Sequence, residues 1–329
     1  MRFSPLCLSG LVLVAHALVA PEAATAQVLS PEDVTFLTAE WTGERFADGR
    51  PRVSDDVLDR MKFVSLEEAW AAIRDRGAGG YNHKFEGDWD VMHPDQIMTG
   101  RALTVAYMPS LPELQARMSA QGRAEGRPAS MDQWPVAMLQ PRDVYVADGF
   151  GKVVGGPVVG DNFARAIYTN SGNGIVVYGS ARDFDGQSQI EGYNAWVKEW
   201  HPSFVEQMTL VSVNGPTRIG AATVLPGDVV LATPKGVIFI PPHLAERVLL
   251  YSEVTRTTDL YRQSQIEEGV FTLQESYPNM TPAQYEGMYD WLPANRTKLN
   301  QESGIALSTI DRMIETRSTR WQEWLSPQP

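Results

Sequence analysis

The fold is decided by Val144-Tyr145-Val146-Ala147-Asp148-Gly149-Phe150-Gly151, then Gly155-Gly156-Pro157-Val158-Val159-Gly160-Asp161-Asn162-Phe163, then Val176-Val177-Tyr178-Gly179-Ser180-Ala181-Arg182-Asp183. The apolar, β-branched runs over 144–147 and 175–178 predict strands. Between them, Phe163, Ala166 and Ile167 share one face of a helix over 162–169. Strand, helix and strand in that order form a βαβ unit with a parallel pair, so the fold class is α/β.

Outward from this unit, the same alternation of β-branched runs and glycine punctuation predicts strands over 102–106, 209–213, 229–232 and 237–240. Ser65 and Glu68 form a capping box ahead of Leu66, Ala69, Trp70 and Ile73, which share a helical face that ends at glycines 77–80. Residues 110–135 read as an insertion, a polar stretch with one short helical pattern interrupted by Pro112, Gly122, Gly126 and Pro128. After Arg247 the periodicity is helical to the end, with Thr281-Pro282 as N-cap and first helical residue and Trp291, Trp321 and Trp324 on buried faces. The expected organisation is an N-terminal extension over 27–61, a core domain over 62–262 and a C-terminal helical extension over 263–329. That extension is expected to wrap the core or a neighbouring subunit.

Arg2, an apolar run of about fifteen residues from Leu6 to Ala20, and the small residues Ala23-Ala24-Thr25-Ala26 follow the order of a secretory signal peptide. The expectation is a signal peptide over 1–26 and an exported chain, periplasmic or secreted. A membrane span takes roughly 20 apolar residues, so the mature chain is expected to have none. The sole cysteine, Cys7, lies in this segment, which excludes a disulfide, a thiolate metal site and a cysteine nucleophile from the rest of the chain. A net charge of -12 makes the protein a poor polyanion binder, so nucleic acid is not an expected partner.

The chemistry concentrates around the βαβ unit. Gly160 to Phe163 form a loop entering a helix, whose free N–H groups and dipole make an anion seat at the end of the sheet. The turn after the second strand puts Arg182 and Asp183 at the carboxyl end of the sheet, where open α/β proteins bind ligands. Arg182 offers a planar fork for a carboxylate. Asp183 offers a hard oxygen for a divalent cation such as Mg²⁺, which takes one or two carboxylates and keeps most of its waters. An anion seat, an arginine fork and a carboxylate suit a 2-oxo acid chelating a metal, although an Arg-Asp pair alone also describes an ordinary surface pair.

Over residues 65–247 the chain resembles the regulator of ribonuclease activity A (RraA-like) and 4-hydroxy-4-methyl-2-oxoglutarate aldolase family. The matching pieces are Gly100-Arg101-Ala102-Leu103-Thr104-Val105, Asp148-Gly149, Gly160-Asp161, Gly179 through Asp183, Ile219-Gly220-Ala221-Ala222-Thr223-Val224-Leu225-Pro226-Gly227-Asp228-Val229-Val230 and Gly236-Val237-Ile238-Phe239-Ile240-Pro241. The resemblance implies a swivelling β/β/α core, homotrimers or hexamers and a site at a subunit boundary. In it Arg182 binds the pyruvoyl carboxylate, Asp183 holds Mg²⁺ or Mn²⁺, and Asp161 positions metal-bound water that shuttles protons. Gly160 and the backbone amides of Asn162 and Phe163 seat the substrate. Three positions depart from the pattern. Gly186 stands where an acid is usual, with Asp185 one place earlier; Tyr178 replaces an Asp; and Thr233-Pro234-Lys235-Gly236 replaces an acidic turn.

Other candidates read as structural. His83 and His93 flank Asp88-Trp89-Asp90 at spacings that fit no ligand pattern, so a polar loop is expected there. His201 and His243 adjoin prolines and read as turn residues. Gly149-x-Gly151 with Gly155-Gly156 lacks dinucleotide spacing. Asn279-Met280-Thr281 and Asn295-Arg296-Thr297 match the glycosylation sequon by chance. The expected function is a divalent-metal-dependent lyase on a 2-oxo acid, an aldolase or decarboxylase. The alternatives are a non-catalytic RraA-like binding or regulatory protein and, last, a methyltransferase, for which no adenosylmethionine loop is visible.

Overall fold

The computed structural model describes residues 28–74 and 80–325, so the expected signal peptide lies outside the described residues. The described part of the chain opens with α1 (Pro31–Leu37), α2 (Asp55–Met61) and α3 (Leu66–Arg74). Each begins at a serine whose hydroxyl accepts an otherwise orphaned N–H, from Asp33 at 3.2 Å, Val57 at 3.4 Å and Glu68 at 3.1 Å. At α3 the Glu68 carboxylate accepts in return from Ser65 N–H at 2.9 Å, completing the expected capping box. There follow β1 (Phe85–Glu86), β2 (Asp90–Val91), β3 (Met98–Pro109), α4 (Pro112–Ala124), α5 (Gln133–Met138) and β4 (Asp143–Asp148). Next come α6 (Asp161–Ser171), β5 (Ile175–Ala181), α7 (Phe184–Ser188), β6 (Ala195–Trp200), β7 (Met208–Val213), β8 (Thr217–Ile219) and β9 (Ala222–Val224). The chain closes with β10 (Val229–Thr233), β11 (Gly236–Ile240), α8 (Ala245–Glu267), α9 (Leu273–Ser276), α10 (Pro282–Ser303) and α11 (Leu307–Thr316).

Among the described residues one mixed sheet runs β1-β11-β10-β3-β4-β5-β6-β2, with β7 also paired to β3. Strands β3, β4, β5 and β6 are parallel, and the remaining pairs are antiparallel. β3 serves two partners on one edge: residues 98–101 pair with β10 and residues 105–109 with β7, the latter ladder carrying a register shift between Ala106 and Tyr107. The four parallel strands therefore end together, and loops 149–160, 182–194 and 201–207 leave from that end.

Alternation along the strands sends side chains to two dry faces. Leu103, Tyr145 and Val177 pack under α4, α5 and α6, while Val144, Val146, Val176 and Trp196 pack under the β8–β9 hairpin. Leu231 and Ile238 form a third cluster with Leu58, Ile73 and Val248 from α2, α3 and α8. Fully burying one such side chain contributes about 1.5–3 kcal/mol. The N-terminal segment is thus part of the core, and Arg50 fixes it there: fully buried, it bonds Asp48 and Asp143, each at 2.7 Å.

All six strands expected in the core form. β6 is an addition, since Lys198 and Glu199 break its β-branched run; its alternation is visible only in Val197 buried on one face and Trp196 on the other. His83 and His93 flank two short edge strands rather than a plain loop. Gly122 does not interrupt the insertion helix. It lies inside α4, where a β-carbon would collide with the Trp134 indole. α8 bridges core and tail, with Val248 and Leu249 on the sheet and Val254 and Tyr261 in a separate cluster with Met288, Leu292, Ile310 and Trp321. Trp291 and Trp324 pack half-buried on that cluster, and Thr281 caps α10 with Gln284 as its reciprocal partner.

Candidate active site

Three chain segments meet at the carboxyl end of β5. The loop after β4 is closed onto that strand by two N–H groups, those of Gly149 and Gly151, which both donate to Tyr178 carbonyl at 3.0 Å. It then delivers Gly160 as the N-cap of α6. The turn after β5 delivers Arg182 and Asp183, and loop 201–207 lays Phe204 over the Arg182 guanidinium, 4.9 Å from the ring centre.

Arg182 Nη1 and Asp183 Oδ2 are 2.8 Å apart, with side chains 30% and 34% exposed. Asp183 adopts φ 61°, ψ 46°, a left-handed conformation unusual outside glycine and costing on the order of 1 kcal/mol or more. That bend turns its carboxylate back over the start of α6, where Oδ2 also accepts from Asp161 N–H at 3.4 Å. Asp161 Oδ1 accepts from Asn162 N–H at 2.8 Å. Where the sequence predicts an anion seat, the protein's own carboxylates accept the first N–H groups of α6. The Asn162 side chain is exposed, and that of Phe163 packs half-buried on the core beneath α6.

Two glycines make the approach possible. A β-carbon on Gly160 would stand 2.7 Å from Asp183 Oδ2 and 3.0 Å from Arg182 Cζ. On Gly186 it would stand 3.0 Å from Asp161 Cβ and 3.1 Å from its Oδ2. The position where the family pattern has an acid is thus a gap that lets the Asp161 carboxylate lie close. Asp185 is exposed in the first turn of α7.

The turn is held from beneath by a residue that sequence reasoning passed over. Gln187, fully buried, donates from Nε2 to the carbonyls of Arg182 at 2.7 Å and Val159 at 3.2 Å, and its Oε1 accepts from the buried Tyr193 hydroxyl at 2.8 Å. Arg182 N–H completes the link to Val159 carbonyl at 3.1 Å. No periodicity marks such a residue; a buried amide is recognisable only once its carbonyl partners are in place.

The other departures fall away from Arg182. Tyr178 meets Trp89 edge to face at 6.4 Å between centres, and Lys198 Nζ lies 5.1 Å from the Trp89 ring and 5.5 Å from Tyr178. The Thr233–Gly236 turn stands at the end of the sheet where β3 begins, with Ala232 opposite Met98. At the end of β4, burial pushes the Asp148 carboxyl up, opposed by a hydrogen bond from Phe150 N–H and by Arg218. His201 Nδ1 lies 2.9 Å from Ser203 Oγ and His243 Nε2 lies 3.4 Å from Tyr81 hydroxyl, so both serve local packing.

Among the described residues no three His, Cys, Asp or Glu side chains are grouped as a protein-only metal cage. A hard cation that keeps its waters needs less, and the Asp183 and Asp161 oxygens beside one helix terminus match its donor chemistry.

The α/β sheet carries an arginine and a carboxylate at the end of its parallel strands, and its relatives give the family. The profile described as RraA-like, Aldolase/RraA, matches residues 56–239, more than half of the chain, and the protein belongs to that family. A Stutzerimonas stutzeri protein assigned by name as a 4-hydroxy-4-methyl-2-oxoglutarate aldolase is 31% identical over 113 residues, 32% of this chain and 68% of the relative. An Ectopseudomonas mendocina protein of the same name is 33% identical over 103 residues, 31% of this chain and 62% of the relative. The fold is similar to that of an uncharacterized protein from Pseudomonas syringae pv. tomato, with TM-score 0.52, 20% identity and coverage of 70% of this chain and 95% of that one. It is also similar to a Streptomyces coelicolor member of the RNase ES inhibitor RraA family, with TM-score 0.50, 19% identity and coverage of 67% and 98%.

Proposed function

We propose that the protein is a divalent-metal-dependent lyase that breaks the C3–C4 bond of a 2-oxo acid, by retro-aldol cleavage or decarboxylation. One observation carries the reading: the Arg182 fork is paired with a neighbouring carboxylate that itself rests on the N-terminus of α6. An ion pair as exposed as this contributes about 0.2–1 kcal/mol, so exchanging Asp183 for a substrate carboxylate on the fork costs little. The exchanged contact is a charge-assisted, bidentate one.

Asp183 would hold Mg²⁺ or Mn²⁺, with Asp161 beside it to act through a water. When bound, that cation supplies Lewis-acid polarisation of the keto oxygen. Arg182 fixes the substrate carboxylate and with it the plane of the keto group. Asp161, through a water, accepts the proton of the C4 hydroxyl; the C3–C4 bond breaks, its electron pair forms the C2=C3 bond of the pyruvate enolate, and an aldehyde or ketone leaves. The proton then returns to C3 by the same route. With oxaloacetate the same bond breaks with loss of CO₂. The names of the curated relatives agree with this class of reaction. The reading includes an exported chain acting outside the cytoplasm as a trimer or hexamer.

The test is pyruvate release from oxaloacetate and from a 4-hydroxy-2-oxo acid with Mg²⁺ or Mn²⁺. Arg182→Lys is expected to lower the rate by about 100-fold or more, since lysine cannot reproduce the planar fork. No pyruvate above the metal-only rate, together with undiminished Mg²⁺ binding by Asp183→Ala, sinks the proposal.

A further inference from the structure

Two exposed phenylalanines stand on the segments that meet at Arg182. Phe204 is 66% exposed although its ring lies over the guanidinium. Phe184 follows Asp183 directly, exposed, with its ring edge-on to Trp200 at 5.0 Å. Exposed aromatic rings beside the proposed carboxylate fork form a contact surface for the far end of its ligand.

Phe204 is held in place. Gly155 N–H donates to Ser203 Oγ at 2.8 Å, Glu206 N–H donates to Gly155 carbonyl at 2.9 Å, and Lys152 Nζ donates to Glu206 carbonyl. These bonds tie loop 201–207 to the glycine loop on either side of Phe204. Lys152 is thereby engaged on backbone. The same loops and turn carry Asp183, Asp185, Glu191 and Glu206, with Asp161 at the start of α6. A second substrate carboxylate would meet aromatic rings and negative charge, whereas an aryl or branched alkyl group would meet surface of its own kind.

We propose that this site prefers monocarboxylic 2-oxo acids, or their 4-hydroxy aldols, whose far end is aromatic or branched and apolar, over diacids such as oxaloacetate, with Phe204 as the specificity-determining residue. The proposal rests on the reading of Arg182 as the fork for the 2-oxo acid carboxylate. It assigns this chain a substrate class different from the diacid in the names of its curated relatives.

The experiment is calorimetric titration of the full chain, in Mg²⁺, with pyruvate, phenylpyruvate and 2-oxoglutarate. Phenylpyruvate is expected to bind about tenfold or more tighter than pyruvate, a gain in keeping with seating one aromatic ring against another; 2-oxoglutarate is expected to bind no tighter than pyruvate. The phenylpyruvate-to-pyruvate ratio should fall towards one in Phe204→Ala and stay intermediate in Phe204→Leu, with thermal unfolding confirming that both variants fold. Pyruvate binding without a phenylpyruvate advantage overturns this inference alone. So does tighter 2-oxoglutarate binding that Arg165→Ala removes, because Arg165, one turn along α6 from Asp161, would then be the partner of a second carboxylate. Failure of all three ligands to bind overturns the proposed function with it.

Discussion

Two arginine–aspartate pairs stand at opposite ends of the parallel strands, and they differ in everything but distance. Arg50 and Asp143 are 2.7 Å apart, 0% exposed on both sides, and join the N-terminal segment to the start of β4. Arg182 and Asp183 are 2.8 Å apart, about a third exposed, adjacent in sequence, and one of them is held in a left-handed backbone conformation. The first pair has nowhere to go, because removing either partner strands a charge in the core. The second is an open contact whose members can change partners. Burial and exchangeability, not separation, distinguish an ion pair that holds a fold from one that receives a ligand.

The comparison can be broken by mutation. Arg50→Met leaves Asp143 buried and short of its strongest partner, so chemical denaturation should show a loss of about 3–5 kcal/mol, with ligand binding by the folded fraction unchanged. Gln187→Ala tests whether the site end also has a rigid foundation. It leaves the buried Tyr193 hydroxyl without its acceptor and two carbonyls without their donor, a cost of about 2–3 kcal/mol, and it should lower lyase activity by freeing the Arg182 turn. An unchanged unfolding midpoint would remove Gln187 from the account. In Gly160→Ala the new methyl group meets the movable ends of Arg182 and Asp183, so stability should fall by less than about 1 kcal/mol while catalysis falls on the order of tenfold.

The smallest expected effect is electrostatic. Burial raises the folded-state pKa of Asp148. A raised carboxyl favours the folded state fully only below its unfolded value, and that contribution is lost as pH rises through the folded value. Asp148→Asn has no such loss, so its stability relative to wild type should increase from acid towards neutral pH in paired denaturation curves. A flat difference would contradict the assignment.

Much of this was legible in the chain. The six core strands and helix α6 follow from β-branched runs, glycine punctuation and one apolar helical face, because those signals are local. Arg182, Asp183, Asp161 and Gly160 were placed at one end of the sheet by the order of the βαβ unit, and the structure brings them together. What stayed hidden depends on long-range partners. β6 carries Lys198 and Glu199 in mid-strand and becomes a strand through pairing with β5 and β2. Gly122 reads as a break until Trp134 covers it. Gln187, Tyr193 and Phe204 lie in stretches without periodicity, and their roles come from carbonyls and a guanidinium supplied by other segments.

The most direct test titrates oxalate, a stable mimic of the pyruvate enolate, into wild type, Arg182→Lys, Asp183→Ala and Arg50→Met with and without Mg²⁺. The expected result is Mg²⁺-dependent binding in wild type and in folded Arg50→Met, at least about 100-fold weaker binding in Arg182→Lys, and no response to Mg²⁺ in Asp183→Ala. Wild-type affinity in both Arg182→Lys and Asp183→Ala would contradict the account, since the exposed pair would then be as much a structural feature as the buried one.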